Sequence, residues 1–128
     1  MEEYYGVDLD GTLAEYDGWK QDRSIGKAIP LMLNKVKQWI SEGINIVIFT
    51  ARADDPENVP AILEWLDDNG LSGLEITNIK TPEMSRFYDD RAIQVEKNTG
   101  RIIGDESLLE EWIKIPEIKL NQLYNKKE

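Results

Sequence analysis

The run Ile44-Asn45-Ile46-Val47-Ile48-Phe49 constrains the fold more than any other stretch. It is nearly continuous in apolar, mostly β-branched side chains. A strand buried on one face alternates polar and apolar residues, whereas a run without alternation is expected where both faces are covered, as in a parallel sheet under helices. The flanks agree with that reading. Upstream, Ile29, Leu33, Val36 and Ile40 recur at helical spacing, with Pro30 suited to a first turn and Gly43 to a stop. Downstream, residues 54–70 predict a second helix with Val59, Ile62, Leu63 and Leu66 on one face and Gly70 at its end.

Further strands are predicted over residues 4–9, 74–79 and 86–90, then a brief helix over 91–98, a strand at 101–104 and a helix near 105–114. The tail 119–128 reads as a further helical turn or a frayed end. Strands alternating with helices predict an α/β fold, a three-layer α/β/α Rossmann-like sandwich around a central parallel sheet. At 128 residues the chain is expected to form a single domain over 1–128.

Composition removes several kinds of chemistry. The chain has neither cysteine nor histidine, which excludes disulfides, thiolate zinc sites, histidine–metal sites and His-based triads. A formal net charge of −10 argues against broad non-specific binding to nucleic acid, but not against a small phosphorylated substrate at a local metal site. No apolar run approaches the roughly 20 residues of a membrane span, and the acidic start Met1-Glu2-Glu3 is unlike a secretory signal. A cytoplasmic protein without membrane contact is expected.

In open parallel sheets, ligands bind off the carboxyl ends of the strands. The predicted strands deliver Asp8 and Asp10, then Thr50 and Arg52, then Lys80, then Asp89 and Asp90 to that edge. Carboxylates, a hydroxyl and an ammonium without histidine suit a magnesium ion, which prefers hard oxygen ligands. Asp8, one of Asp89 and Asp90, and the Asp10 backbone carbonyl are its candidate ligands. Asp8 can attack phosphorus, and Asp10 can act as general acid and then base at the leaving oxygen. Thr50 and Lys80 suit the neutralisation of phosphate oxygens. Gly11 and Thr12 are expected to make the turn that separates the roles of Asp8 and Asp10, and are candidate substrate-binding residues.

The stretch Asp-Leu-Asp-Gly-Thr-Leu, residues 8–13, resembles the first motif of the haloacid dehalogenase superfamily. Residues 47–52, Val-Ile-Phe-Thr-Ala-Arg, are similar to its second motif, Lys80 to its third and residues 87–91, Phe-Tyr-Asp-Asp-Arg, to its fourth. The resemblance implies a magnesium-dependent phosphatase with Asp8 as nucleophile, Asp10 as general acid/base, Thr50 and Lys80 as phosphate binders, and Asp89 and Asp90 as the acidic pair at the metal. An aspartate at position 10 favours a phosphatase, with a phosphotransferase or mutase as the rarer case. The gaps at 14–28 and 53–79 leave no room for a cap domain. Residues 13–24, with Tyr16 and Trp19, match the short flap of capless members, and Trp19 is a candidate substrate contact.

A narrower similarity, through Arg52 and Arg91, points to phosphatase domains that act on polynucleotide ends or to small nucleotidases. Both arginines are candidates to neutralise substrate phosphate, and each equally fits a structural ion pair. A signalling receiver domain is opposed by the order of the acidic residues. An interaction module that kept the fold without turnover is the non-enzyme alternative. Trp39, Trp65 and Trp112 read as core or half-buried helix residues, and Asp54-Asp55 and Asp67-Asp68 as helix-terminal surface.

Overall fold

The computed structural model describes residues 2–104, and the helix predicted near 105–114, Trp112 and the tail lie outside the described residues. The chain separates into two compact units, Met1–Arg91 and Ala92–Glu128.

The first unit runs β1 (Tyr4–Asp8), α1 (Pro30–Ser41), β2 (Ile46–Phe49), two 3-10 turns (Ala51–Asp54 and Pro56–Asn58), α2 (Val59–Asp68), β3 (Glu75–Thr77) and β4 (Met84–Tyr88). The four strands form one parallel sheet in the order β3-β2-β1-β4. This is a small α/β fold of Rossmann-like character. Val7, Ile46 and Ile48 of the sheet pack with Val36 of α1 and with Ile62, Trp65 and Leu66 of α2. Both crossovers step in the same direction along the sheet, from β1 to β2 to β3, so right-handed connections place both helices on one face. The β-branched run is buried as expected, with Ile46, Val47 and Ile48 all at or below 6% exposure.

The helix boundaries follow their signals. Pro30 opens α1, and Gly43, at φ +85, closes it while the Ile44 N–H bonds the Trp39 carbonyl. The buried faces are turned slightly from prediction. Ile40 and Leu63 are exposed, whereas Trp39 packs on Tyr5 and Tyr88, and the Trp65 indole N–H reaches the Gly26 carbonyl at 2.8 Å. Trp39 and Trp65 are half-buried and buried as expected, while Ile40 and Leu63 turn away from the core.

The expected flap, residues 13–24, lies within a small hairpin whose arms pair around residues 14 and 28. Ala14 bridges Ala28, the Glu15 N–H bonds the Lys27 carbonyl, and the Ile29 N–H bonds the Leu13 carbonyl. A Cβ on Gly26 would lie 2.1 Å from the Glu15 carbonyl oxygen, so only glycine allows this approach.

In the second unit the helix predicted over 91–98 is absent. Val95 instead forms an antiparallel bridge with Ile102, and Arg101 pairs with Glu96. Asn98 at φ +66 and Gly100 at φ +81 turn the chain back in the left-handed region, which defeats helical continuation. Among the described residues no helix is long and apolar enough to cross a membrane.

Candidate functional site

The site begins where β1 stops. Asp8 is the last strand residue, and the chain then winds through a tight turn in which the Leu9 carbonyl accepts from both Leu13 and Ala14 N–H. Leu9, Leu13 and Ala14 are fully buried. These apolar anchors leave Asp8, Asp10 and Thr12 on the solvent side. Strand register supplies the rest. Asp8 pairs with Phe49 and Val7 with Tyr88, so Thr50 and Asp89, the next residues of those neighbours, emerge at the same level.

The carboxylates of Asp8, Asp89 and Asp90 each offer an oxygen, all within 4.8 Å of one another. Negative charges at that spacing repel by roughly 3–4 kcal/mol per pair at an effective dielectric near 20. A neutral hydrogen bond contributes only about 1 kcal/mol, so hydrogen bonding does not offset this. Within this group the Asp8 carboxyl is pushed from 3.8 up to about 7. Burial is the main cause, followed by contact with the Asp90 carboxyl and by the Asp89 and Asp90 charges, while the Thr12 hydroxyl pulls the other way. Three hard oxygen donors with uncompensated negative charge fit a hard divalent cation such as magnesium.

Gly11 and Thr12 support this group rather than face outward. Gly11 has φ +90, and a Cβ there would meet the Asp90 carboxylate at 2.6–2.9 Å. The Thr12 hydroxyl accepts from the Asp90 backbone N–H at 2.9 Å and lies 3.1 Å from Asp90 Oδ1 and 3.3 Å from Asp8 Oδ2. With one proton to donate, it serves one of these oxygens at a time. Thr12 thereby clasps the end of β1 to the end of β4.

Asp10 has a different neighbourhood. Its Oδ2 accepts from Arg52 Nε at 2.7 Å and its Oδ1 from Arg52 Nη2 at 2.8 Å. Arg52 is buried, at 6% exposure, and also donates to the Arg23 and Ser24 carbonyls at 3.0 and 3.2 Å. Its guanidinium carbon lies 4.8 Å from the centre of the Trp19 ring. Arg52 was expected at substrate phosphate; the structure shows it in the ion pair that the sequence left open. The side chain of Asp10 is correspondingly outside the three-carboxylate group.

Asp8, Asp10, Trp19, Thr50, Arg52, Asp89 and Asp90 line one cleft of about 690 Å³, together with Tyr16, Phe49 and Arg91. Thr50 is buried, and its hydroxyl oxygen accepts from the Arg52 N–H at 3.2 Å, which leaves the O–H to be donated. Trp19 and Tyr16 are half exposed, at 52% and 50%. A second cleft of about 480 Å³, lined by Tyr4, Ile44, Asn45 and Leu74, holds none of the predicted residues.

Lys80 does not join them. It is exposed, outside the lining of the cleft, and one residue before Thr81, whose hydroxyl contacts the Tyr4 hydroxyl at 2.8 Å. Tyr4 begins β1, about 13 Å along the strand from Asp8 at 3.3 Å per residue. The chain leaving β3 is already on its way to the opposite edge.

Sequence reasoning passed over Arg23 and Asn58, and read Asp55 as helix-terminal surface only. Arg23 donates to Asp55 at 3.2 Å, to Glu57 at 3.0 Å and to the Asn58 side-chain oxygen, and Asn58 donates to the Arg52 carbonyl at 2.9 Å. Asp55 also caps the turn Pro56–Asn58, accepting from the Glu57 N–H at 2.9 Å. The Asp-Asp-Pro sequence was the available signal, since aspartate before proline favours a capped turn.

No protein-family model matches the chain, and no curated protein matches it. A solved structure of a conserved protein from Bacteroides thetaiotaomicron is similar, with 25% sequence identity and a TM-score of 0.55. The similarity covers 89% of this chain and 91% of that one, so it spans nearly the whole of both chains.

Proposed function

We propose that this protein is a magnesium-dependent phosphomonoester hydrolase of the haloacid dehalogenase type, working through an aspartyl-phosphate on Asp8. The observation that carries this reading is the pair of unlike aspartates at one strand end. Asp8 stands in the three-carboxylate group, and Asp10 is turned away into a guanidinium. The reading carries with it the three-layer architecture of that superfamily and a capless single domain.

Asp8, Asp89 and Asp90 would hold the magnesium, with the Asp10 carbonyl as a further candidate ligand. When bound, the ion supplies positive charge that offsets the carboxylate repulsion and the phosphate charge. Asp8 Oδ attacks phosphorus, an Oδ–P bond forms and the ester P–O bond breaks. Asp10 enters this step as the carboxylic acid and passes its proton to the departing oxygen, which leaves the carboxylate that Arg52 bonds. Water then attacks the acyl phosphate and gives its proton to Asp10, and the Oδ–P bond breaks to release orthophosphate and regenerate Asp8. Thr50 and the exposed Arg91 are the lining donors available to the phosphate oxygens. Lys80 has no part in this version.

The cleft lining also bears on substrate choice, with six aspartates against three arginines. Two of those arginines, Arg23 and Arg52, are already paired. Extra phosphates on a substrate would find little cation to meet them. A single phosphate on a neutral leaving group, laid against Trp19 and Tyr16, fits better than a nucleic-acid end. Hydrolysis of p-nitrophenyl phosphate should require magnesium; full activity in excess chelator would overturn the proposal. A panel of sugar phosphates, nucleotides and phosphorylated oligonucleotides tests the substrate class.

A further inference from the structure

We infer that Arg52 is a positioning residue that couples the flap to Asp10, so that the direction of the Asp10 carboxylate is set only when the flap is seated. The inference rests on the reading that Asp10 handles the proton of the leaving group. A guanidinium has five N–H donors, and four contacts are made here, to both Asp10 oxygens and to the Arg23 and Ser24 carbonyls. Nothing like a free fork remains for a phosphate.

The contacts close into a ring. The Arg52 carbonyl accepts from Asn58, the Asn58 side-chain oxygen accepts from Arg23, and the Arg23 carbonyl accepts from Arg52. Trp19, farther out on the flap, lies against the same guanidinium. Arg23 itself sits at φ +63, a conformation that a non-glycine residue holds only when its surroundings enforce it. A buried guanidinium must place its N–H groups on acceptors, and here two of those acceptors are flap carbonyls, so its seat depends on the flap. In this arrangement, lifting the flap removes two of the acceptors that hold the guanidinium, and Asp10 loses its fixed rotamer with them.

Two arms test this. The first is leaving-group dependence. A lysine is a point charge and cannot bond two carboxylate oxygens and two carbonyls in one plane. Arg52→Lys and Arg52→Ala should lower hydrolysis of alkyl phosphates, which need a proton donor, by about 100-fold. They should lower hydrolysis of p-nitrophenyl phosphate, whose leaving group needs none, by less than about tenfold. Equal losses on both substrates would overturn the inference.

The second arm needs no turnover. Trypsin cleavage after Lys20, within the flap, should accelerate at least about tenfold in both Arg52→Ala and Asp10→Ala, at temperatures where the rest of each variant stays folded. A rate unchanged in Asp10→Ala would sink the coupling. If wild-type protein hydrolyses no phosphomonoester, the phosphatase reading fails, and the trypsin arm still decides whether Arg52 joins Asp10 to the flap.

Discussion

Asp8 and Asp10 are separated by one leucine, yet they occupy opposite electrostatic regions. Asp8 faces Asp89 and Asp90, and its carboxyl is pushed up to about 7, chiefly by burial and then by those two neighbours. Asp10 faces a buried guanidinium that bonds both of its oxygens. The first region brings three carboxylates together, whereas in the second the carboxylate is paired within the polypeptide itself. Backbone geometry makes the separation, because β1 ends at Asp8 and the chain turns at the buried Leu9, whose carbonyl accepts from the Leu13 and Ala14 N–H groups. The proposed mechanism, which asks one carboxylate to hold a metal and the other to carry a proton, gains from this division. Neither carboxylate has to serve both roles.

The same chemical change should therefore act in opposite directions in the two regions. Asp8→Asn removes the proposed nucleophile, and turnover of any phosphomonoester should fall by about 1,000-fold or more. The metal-free variant should nonetheless melt at a higher temperature than wild type, since one of three crowded charges is gone. Loss of turnover together with loss of stability would mean that Asp8 is a structural residue. Asp10→Ala should do the reverse to the fold. It leaves Arg52, whose side chain is 5% exposed, without its carboxylate, and breaking such a pair costs about 3 kcal/mol. Urea denaturation of the two variants in chelator measures both signs in one experiment.

Much of this site could be read from sequence because strand ends in a parallel sheet share one edge. Asp8, Thr50 and Asp89 needed only that rule and the register of three neighbouring strands. Lys80 failed the same rule because it lies three residues past Thr77, the last residue of β3, on a connection already held at the far edge through Thr81 and Tyr4. Arg52 was placed correctly along the chain but its partner was not legible. A long side chain chooses among acceptors brought together by tertiary structure, and here those acceptors are flap carbonyls with no side-chain signature. Arg23 and Asn58 were invisible for the same reason. The fold was legible in its central strands and both helices, where burial leaves little choice, and misread at 91–98, where a left-handed Asn98 outweighed any helical pattern.

Magnesium should act on the first region alone. If Asp8, Asp89 and Asp90 bind it, the ion stabilises the folded state by about 2.7 kcal/mol at a hundred times its dissociation constant. The melting temperature of Asp10→Ala should rise with magnesium as that of wild type does, and that of Asp90→Asn should rise far less. Gly11→Ala belongs with Asp90→Asn in this test, because its Cβ would lie 2.6 Å from Asp90 Oδ2. An undiminished magnesium response in both would place the ion elsewhere.

The smallest effect is a slope. Below pH 3.8 Asp8 is protonated in both folded and unfolded protein, and it contributes no difference. Between 3.8 and about 7 the folded state keeps a proton that the unfolded chain has released, so stability falls as pH rises through that window. Above about 7 the loss is complete and constant. Taken whole, the displacement corresponds to about 4 kcal/mol. Asp8 is only half-buried and water screens much of the effect, so about 1–2 kcal/mol is expected. Exposed carboxylates held low by their partners, such as Asp55 beside the Glu57 N–H, slope the other way. The difference between wild type and Asp8→Asn, measured without metal from pH 4 to 8, cancels those groups and isolates Asp8. The variant should gain on wild type across the window, and saturating magnesium should shrink the gap, since the cation stabilises the charged form in the wild-type fold. A gap that is flat with pH would place the repulsion on Asp89 and Asp90 instead of on Asp8.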